Sequence, residues 1–186
     1  LTEDANQTEE KKWLFTKYDP LNRPVMTGLY ESESDREALQ ALVNDDIGED
    51  GTYSWYESAG TLLGYDNKSF PPVASEEDLL TVRYYDDYVH LEDWGTGHAC
   101  AVPDAVYKAT VLDKPKGQLT GSMTRILEQQ EWIRSASWYD NKYRVVQAVS
   151  GNHLGGIDRV FTRYGFTGNI LQTRLEEPAQ ALNNFI

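Results

Sequence analysis

The sequence predicts a mainly β protein: stacked antiparallel hairpins forming one twisted sheet, with one short α-helix at about 34–45. Three observations carry that prediction. The 186 residues include 12 Tyr, 5 Trp and 5 Phe against only 2 Met, a usage that suits pleated strands better than a helical bundle. Several runs alternate apolar and polar residues and are joined by polar turns of about four residues. Only one stretch combines helical periodicity with a helix start signal.

Residues 1–12, LTEDANQTEEKK, are polar and without period, and read as a flexible lead-in. Residues 13–177 read as a single β domain and 178–186 as a tail. A chain that opens on Leu1 rather than Met reads as cut from a longer protein, or processed. WLFTKY, then DPLN, then RPVMTGLY predicts a hairpin over 13–30. Asp19 bonds its own downstream backbone there, and Pro20 presets φ at the second turn position. Pro24 puts the outgoing strand at an edge or a bulge.

SDREALQALVND, 34–45, gives the helix. Ser34 with Glu37 three later is a capping box, and Leu39, Leu42 and Val43 share a face. Gly48 and Gly51 end it, and TYSWYES, 52–58, alternates as a strand. Breakers throughout 60–78 predict a long ordered loop, and LLTVRYYDDYVHLEDW, 79–94, returns to strand chemistry with DDY as a turn. A second loop covers about 95–106. The rest is the most regular part: KATVLDKPKGQLTGSMTRIL, EWIRSASWYDNKYRVVQAVS and GNHLGGIDRVFTRYGFTGNILQTRLEE each read as strand, turn, strand, the last after a glycine-rich connection.

Aligning on Tyr exposes a repeat. KYDPLNRPVM, WYDNKYRVVQ and RYGFTGNILQ are anchored at Tyr18, Tyr139 and Tyr164, with a weaker echo, RYYDDYVHLE, at Tyr85. The last two clear anchors lie 25 residues apart, a spacing found in repeat architectures. The residue types fit a hairpin. Tyr ends the incoming strand with an apolar face and a polar tip. Asp19 and Asp140 cap the turn. Arg23 and Arg144 open the outgoing strand and return to the Asp or lie over an aromatic ring. Such units bury one face only when stacked on neighbours.

Tyr-Asp, three residues, Arg, then an apolar pair resembles the YD repeat of the Rhs family. WLFTKYDPLNRPVMTGLY, NKSFPP followed by LLTVRYYDDY, KGQLTGSMTRIL, and YDNKYRVVQAVSGNHLGGIDRVFTRYGFTGNIL together resemble a segment of Rhs-type surface proteins of Bacteroides-like bacteria, over about 13–175. The resemblance implies a large exported protein at the cell surface or outside the cell. Its hairpins join edge to edge in a long spiralling sheet that closes into a non-catalytic shell, often around a C-terminal toxin or effector. The implied partners are neighbouring YD repeats of the same longer chain and such an effector, with edge-to-edge self-association of an isolated piece. The implied role is structural, with no catalytic residues and no cofactor. Three departures stand out: Gly165 and Asn169 replace Asp and Arg in the third copy, a helix interrupts the repeats, and only three or four units are present.

Other chemistries have less support. A net charge of −13 argues against nucleic acid and anionic membrane surfaces, and no run of about 18 apolar residues predicts a membrane span. The single Cys100 excludes an intramolecular disulfide. His98 and Cys100, with Glu92 and Asp93 nearby, do not complete a metal set. The acidic strip 84–97 lacks the spacing of a calcium loop. His153 with Ser150 and Asp158 lacks a nucleophile elbow. The sequons at Asn6 and Asn67 carry little weight. The alternative retained is a free-standing carbohydrate-binding β module, with Trp55, Trp94, Trp132 and Trp138 as stacking platforms. Behind it stands a glycan hydrolase using Asp86 and Glu92 as paired carboxylates.

Overall fold

A computed structural model describes residues 11–47, 51–101, 106–107, 109–127, 130–152 and 154–176. Residues 1–10 of the lead-in, the tail, Asn6, Gly48 and His153 singled out above lie outside the described residues; the lead-in ends earlier than expected, since Lys12 already pairs with Glu31. The protein is mainly β, with an open eight-stranded antiparallel sheet and, among the described residues, one short helix. The strands are β1 (Lys12–Tyr18), β2 (Pro24–Glu31), β3 (Ala59–Leu62), β4 (Leu79–Tyr85), β5 (Leu119–Ile126), β6 (Glu131–Tyr139), β7 (Val145–Gly151), β8 (Ile157–Tyr164) and β9 (Ile170–Glu176), and the helix is α1 (Arg36–Asp46). The sheet order is β1-β2-β4-β5-β6-β7-β8-β9, which leaves β3 outside it. The described residues fall into two compact units, one within 1–83 and 127–130, the other within 84–126 and 131–186.

In the first unit β1 and β2 pair from Lys12↔Glu31 to Tyr18↔Pro24, with a bulge at Lys17/Tyr18. Pro24, which has no N–H to give, sits at that bulge and at the first residue of its strand. The strand it opens is internal, between β1 and β4. Trp13, Phe15 and Lys17 alternate inward on β1 and are buried, and Val25, Met26, Leu79 and Val82 complete the core. Helix α1 is capped by Asp35, whose Oδ1 accepts the Ala38 N–H at 2.9 Å, not by Ser34. The Asp35 carboxylate, one position later, caps the next amide along and starts the helix at Arg36. Of the predicted apolar face only Leu39 is buried, while Leu42 is 41% exposed.

Segment 52–58 is not a strand; it makes single bridges at Tyr53 and Ser54. Side chains take up its amides instead: Ser54 Oγ accepts the Tyr56 N–H two residues on, and Asp66 Oδ1 accepts the Ser58 N–H. Such bonds compete with a strand ladder. The predicted loop 60–78 holds β3 and, after a Ser75–Asp78 capping box, a 3-10 turn at Glu76–Asp78.

In the second unit β5 to β9 form a meander of antiparallel pairs. Met123, Ala136, Trp138, Val149 and Phe161 fill its core. The strand at β4 is followed by 3-10 turns at Val89–Trp94 and Thr96–His98, not by a second strand. Asp87 Oδ1 accepts the Val89 N–H, an Asx turn that redirects the chain. A series of ring contacts then anchors the segment: Tyr84 stacks on His90 at 4.3 Å, His90 meets Trp94 edge-on at 4.8 Å, and Trp94 meets His98 at 5.7 Å. The Tyr85 echo therefore does not form a hairpin. Nor, among the described residues, is there a strand ahead of the Lys114–Gly117 turn, where Val111 makes one bridge to Asp140.

Candidate functional site

The recurring chemistry lies in the hairpin tips. In β1–β2 the Asp19 N–H donates to the Arg23 carbonyl at 3.0 Å and the Asn22 N–H to the Asp19 carbonyl at 2.9 Å. In β6–β7 Asp140 and Arg144 repeat the first bond at 2.9 Å, and Tyr143 the second at 2.9 Å. In β8–β9 Gly165, Asn169 and Gly168 repeat both, at 2.8 and 3.1 Å. The fourth residue of each tip has positive φ: Asn22 at 59°, Tyr143 at 59° and Gly168 at 94°. This is a three-residue hairpin loop, a type I turn closed by a left-handed residue.

The side chains explain why Asp and Arg recur. Asp19 Oδ1 accepts the N–H groups of Leu21 and Arg23, each at 2.9 Å, and Oδ2 accepts Arg23 Nε at 2.7 Å. Asp140 Oδ1 accepts Lys142 and Arg144 N–H at 2.8 and 3.0 Å, and Oδ2 accepts Arg144 Nε and Nη2 at 2.8 and 2.5 Å. One carboxylate thus satisfies two turn amides and orients the guanidinium. In the third copy a Cβ on Gly165 would lie 2.5 Å from Asn169 Oδ1, so the Asn169 amide fills the space an Asp side chain would take.

The glycine-rich connection between β7 and β8 contains an unanticipated fourth tip of this design. The Asn152 N–H donates to the Gly156 carbonyl, and the Gly155 N–H to the Asn152 carbonyl. Asn152 Oδ1 accepts the N–H groups of Leu154 and Gly156 at 3.0 and 2.9 Å, and Gly155 has φ 77°. The Tyr and Arg residues link successive hairpins. Tyr139 Oη donates to the carbonyl of Leu119, which opens β5, and Tyr164 Oη to that of Val145, which opens β7. The Arg144 guanidinium lies 4.6 Å over the Tyr164 ring and donates to the Gly165 carbonyl. Tyr18, on edge strand β1, is 41% exposed.

A second constellation in the first unit went unread in the sequence. Lys17 is 1% exposed, and its Nζ donates to Glu57 Oε1 at 2.8 Å, Asn67 Oδ1 at 2.9 Å and the Ser69 carbonyl at 2.9 Å. Glu57, also 1% exposed, accepts the Ser69 N–H and Oγ on the same Oε1, while its buried Oε2 has no hydrogen bond. Asn67 is clamped by Val73, whose N–H donates to Oδ1 and whose carbonyl accepts from Nδ2, both at 2.9 Å. Burial pushes the Lys17 ammonium below its ordinary range, against the pull of Glu57 and Asp66.

The other predicted positions are dispersed. Trp94 and Trp138 are buried, the latter stacked on Tyr88; Trp132 lies under the Arg125 guanidinium at 4.3 Å; Trp55, in the other unit, is 69% exposed. Asp86 accepts the Gly117 N–H and holds the turn before β5, while Glu92 is exposed. His98 is buried with Nδ1 3.3 Å from the Trp94 carbonyl, and Cys100 is exposed, with Sγ donating to Gln147. Ser150 Oγ bonds Ser135 Oγ across the sheet, and Asp158 accepts from the Asn152 amide. Among the described residues no three His, Cys, Asp or Glu side chains come together as a metal site. No protein-family model, curated protein or solved structure matches the chain.

Proposed function

We propose that this chain is a non-catalytic scaffold segment of a large exported Rhs/YD-repeat protein, set at a bacterial cell surface or outside the cell. Its hairpins stack as a stretch of wall that continues into neighbouring repeats and encloses or presents a C-terminal effector. One observation carries the reading: Asp19–Arg23 and Asp140–Arg144 have the same capping bonds, and two hairpin Tyr residues each reach the opening residue of the preceding strand. Polar groups devoted to backbone amides and carbonyls do structural work and leave little for a substrate. An immunoblot of source cells, with an antibody against this segment, tests the reading. A band far larger than 186 residues account for, in the envelope or medium, is expected. A band of the chain's own size inside the cell overturns it.

A carbohydrate-binding module is the second reading, because Trp55 and its neighbour Tyr56 are both exposed. Binding to a glycan array that Trp55→Ala abolishes would favour it. No binding by the parent chain removes it.

A further inference from the structure

We infer that Lys17 and Asn67 are a modification site, at which the lysine amine and the asparagine side-chain amide condense into an intramolecular isopeptide bond with loss of ammonia. The inference does not depend on the scaffold reading, and it rests on the composition and geometry of the buried cluster in the first unit.

The nucleophile is in place. Lys17 Nζ lies 2.9 Å from Asn67 Oδ1, and the amide carbon is one C=O bond, about 1.2 Å, from that oxygen, so Nζ stands no more than about 4 Å from Cγ, a short approach from the ~3–3.5 Å of a near-attack geometry. The electrophile is held still. Asn67 Oδ1 and Nδ2 are pinned by the Val73 N–H and carbonyl, and the N–H is a fixed donor to charge that develops on Oδ1. A proton carrier is present. Glu57 Oε1 accepts from Lys17 Nζ at 2.8 Å, and its buried Oε2 meets no N–H or O–H donor, with the Asp66 carboxyl within hydrogen-bonding reach of Glu57. Water is kept from the amine and its proton carrier, since Lys17 and Glu57 are each 1% exposed, while Asn67 is half-buried and leaves ammonia a way out. Burial favours the uncharged amine, the form that attacks.

The step balances without a co-reactant. The Lys17 ammonium gives one proton to the Glu57 carboxylate, leaving an amine and a carboxylic acid. The amine lone pair forms the Nζ–Cγ bond as the C=O pair moves onto Oδ1. Glu57 passes a proton to Nδ2 and takes one from Nζ. The Cγ–Nδ2 bond breaks, its electron pair leaves with ammonia, and the Oδ1 pair closes the new carbonyl. Ammonium, carboxylate and primary amide become secondary amide, carboxylic acid and ammonia. The product ties β1 to the segment after β3 across 50 residues, adding a covalent closure where the chain has one cysteine and no disulfide.

The competing arrangement is an ordinary buried ion pair, in which the three Nζ donors simply remain hydrogen-bonded. Mass spectrometry of the full folded chain separates the two. The cross-linked chain is lighter than its sequence mass by about 17 Da, one ammonia, and digestion yields a branched peptide containing both Lys17 and Asn67. Lys17→Arg and Glu57→Gln return to full sequence mass. Asn67→Asp condenses with loss of water and reaches the same final mass as the parent. Two results overturn the inference: a folded parent chain at full sequence mass after prolonged incubation, or a loss of about 17 Da that persists in Lys17→Arg, which marks a succinimide at Asn67 instead. The parent measurement stands even if a variant does not fold.

Discussion

Asp140 does three things at one turn: it accepts the Lys142 amide, accepts the Arg144 amide, and pairs with the Arg144 guanidinium. Removing it strands two amides and a cation together. Asp140→Ala is expected to cost about 3 kcal/mol in urea unfolding, with charge-assisted bonds the larger part. Asp140→Asn keeps an Oδ1 acceptor, as Asn152 does at its own tip, and is expected to cost only about 1 kcal/mol. Equal losses for the two would mean that the ion pair, rather than the amide caps, holds the turn. The carboxyl is also held below its ordinary range: burial opposes this, but Arg144 and the amides of Arg144 and Lys142 outweigh it. Its folded value lies below the unfolded one of about 3.9. The contribution is therefore complete above about pH 4 and disappears as pH falls through the folded value.

The segment after β4 shows a second kind of control, exerted by packing. A Cβ on Gly121 would stand 2.1 Å from His90 Nε2, so β5 needs glycine there for the imidazole to lie between it and the Tyr84 ring. Gly121→Ala is expected to displace the ring and cost about 2 kcal/mol, with a changed near-ultraviolet spectrum as the readout. Burial brings His90 from 6.5 down to about 4. The unfolded chain takes up that proton first, so this part of the stability is complete above about pH 6.5. It declines as pH falls, reaching a loss of about 3 kcal/mol near pH 4. An NMR titration in which the His90 ring protonates near pH 6.5 would contradict this.

Legibility in the sequence followed the same division. The hairpins 131–151 and 157–176 were readable because alternation and turn residues are local signals. The 3-10 turns were not, since Tyr88, Val89 and Trp94 carry strand propensity that tertiary packing overrides, with Trp94 held edge-on to Tyr84 and His90. Glu57 and Asn67 lie 40 and 50 residues from Lys17, and only the inward phase of Lys17, in line with Trp13 and Phe15, hinted at a buried amine.

At the scale of the whole molecule the open sheet has two edge strands, β1 and β9. The β9 hairpin exposes Phe166, Ile170, Leu171 and Leu175, with Phe166 at 93%. Edges of this kind template further pairing, and a net charge of −13 opposes it by repulsion between copies. Sedimentation is expected to show association that grows with concentration and added salt, and that Leu171→Lys weakens. A strict monomer under those conditions would show that neither edge pairs.

The Tyr139-to-Leu119 and Tyr164-to-Val145 bonds also set a unit of inheritance. Residues 140–164 contain two strands and both of their turns, running from just after one anchoring Tyr to the next. An in-frame duplication of that stretch adds an even number of strands, so chain direction, the sheet end carrying each tip and the register of every Tyr are all preserved. Genetic slippage by one such quantum lengthens the protein without redesigning either neighbour. A chain carrying the 25-residue duplication is therefore expected to fold with two more strands, visible as increased sheet content by circular dichroism.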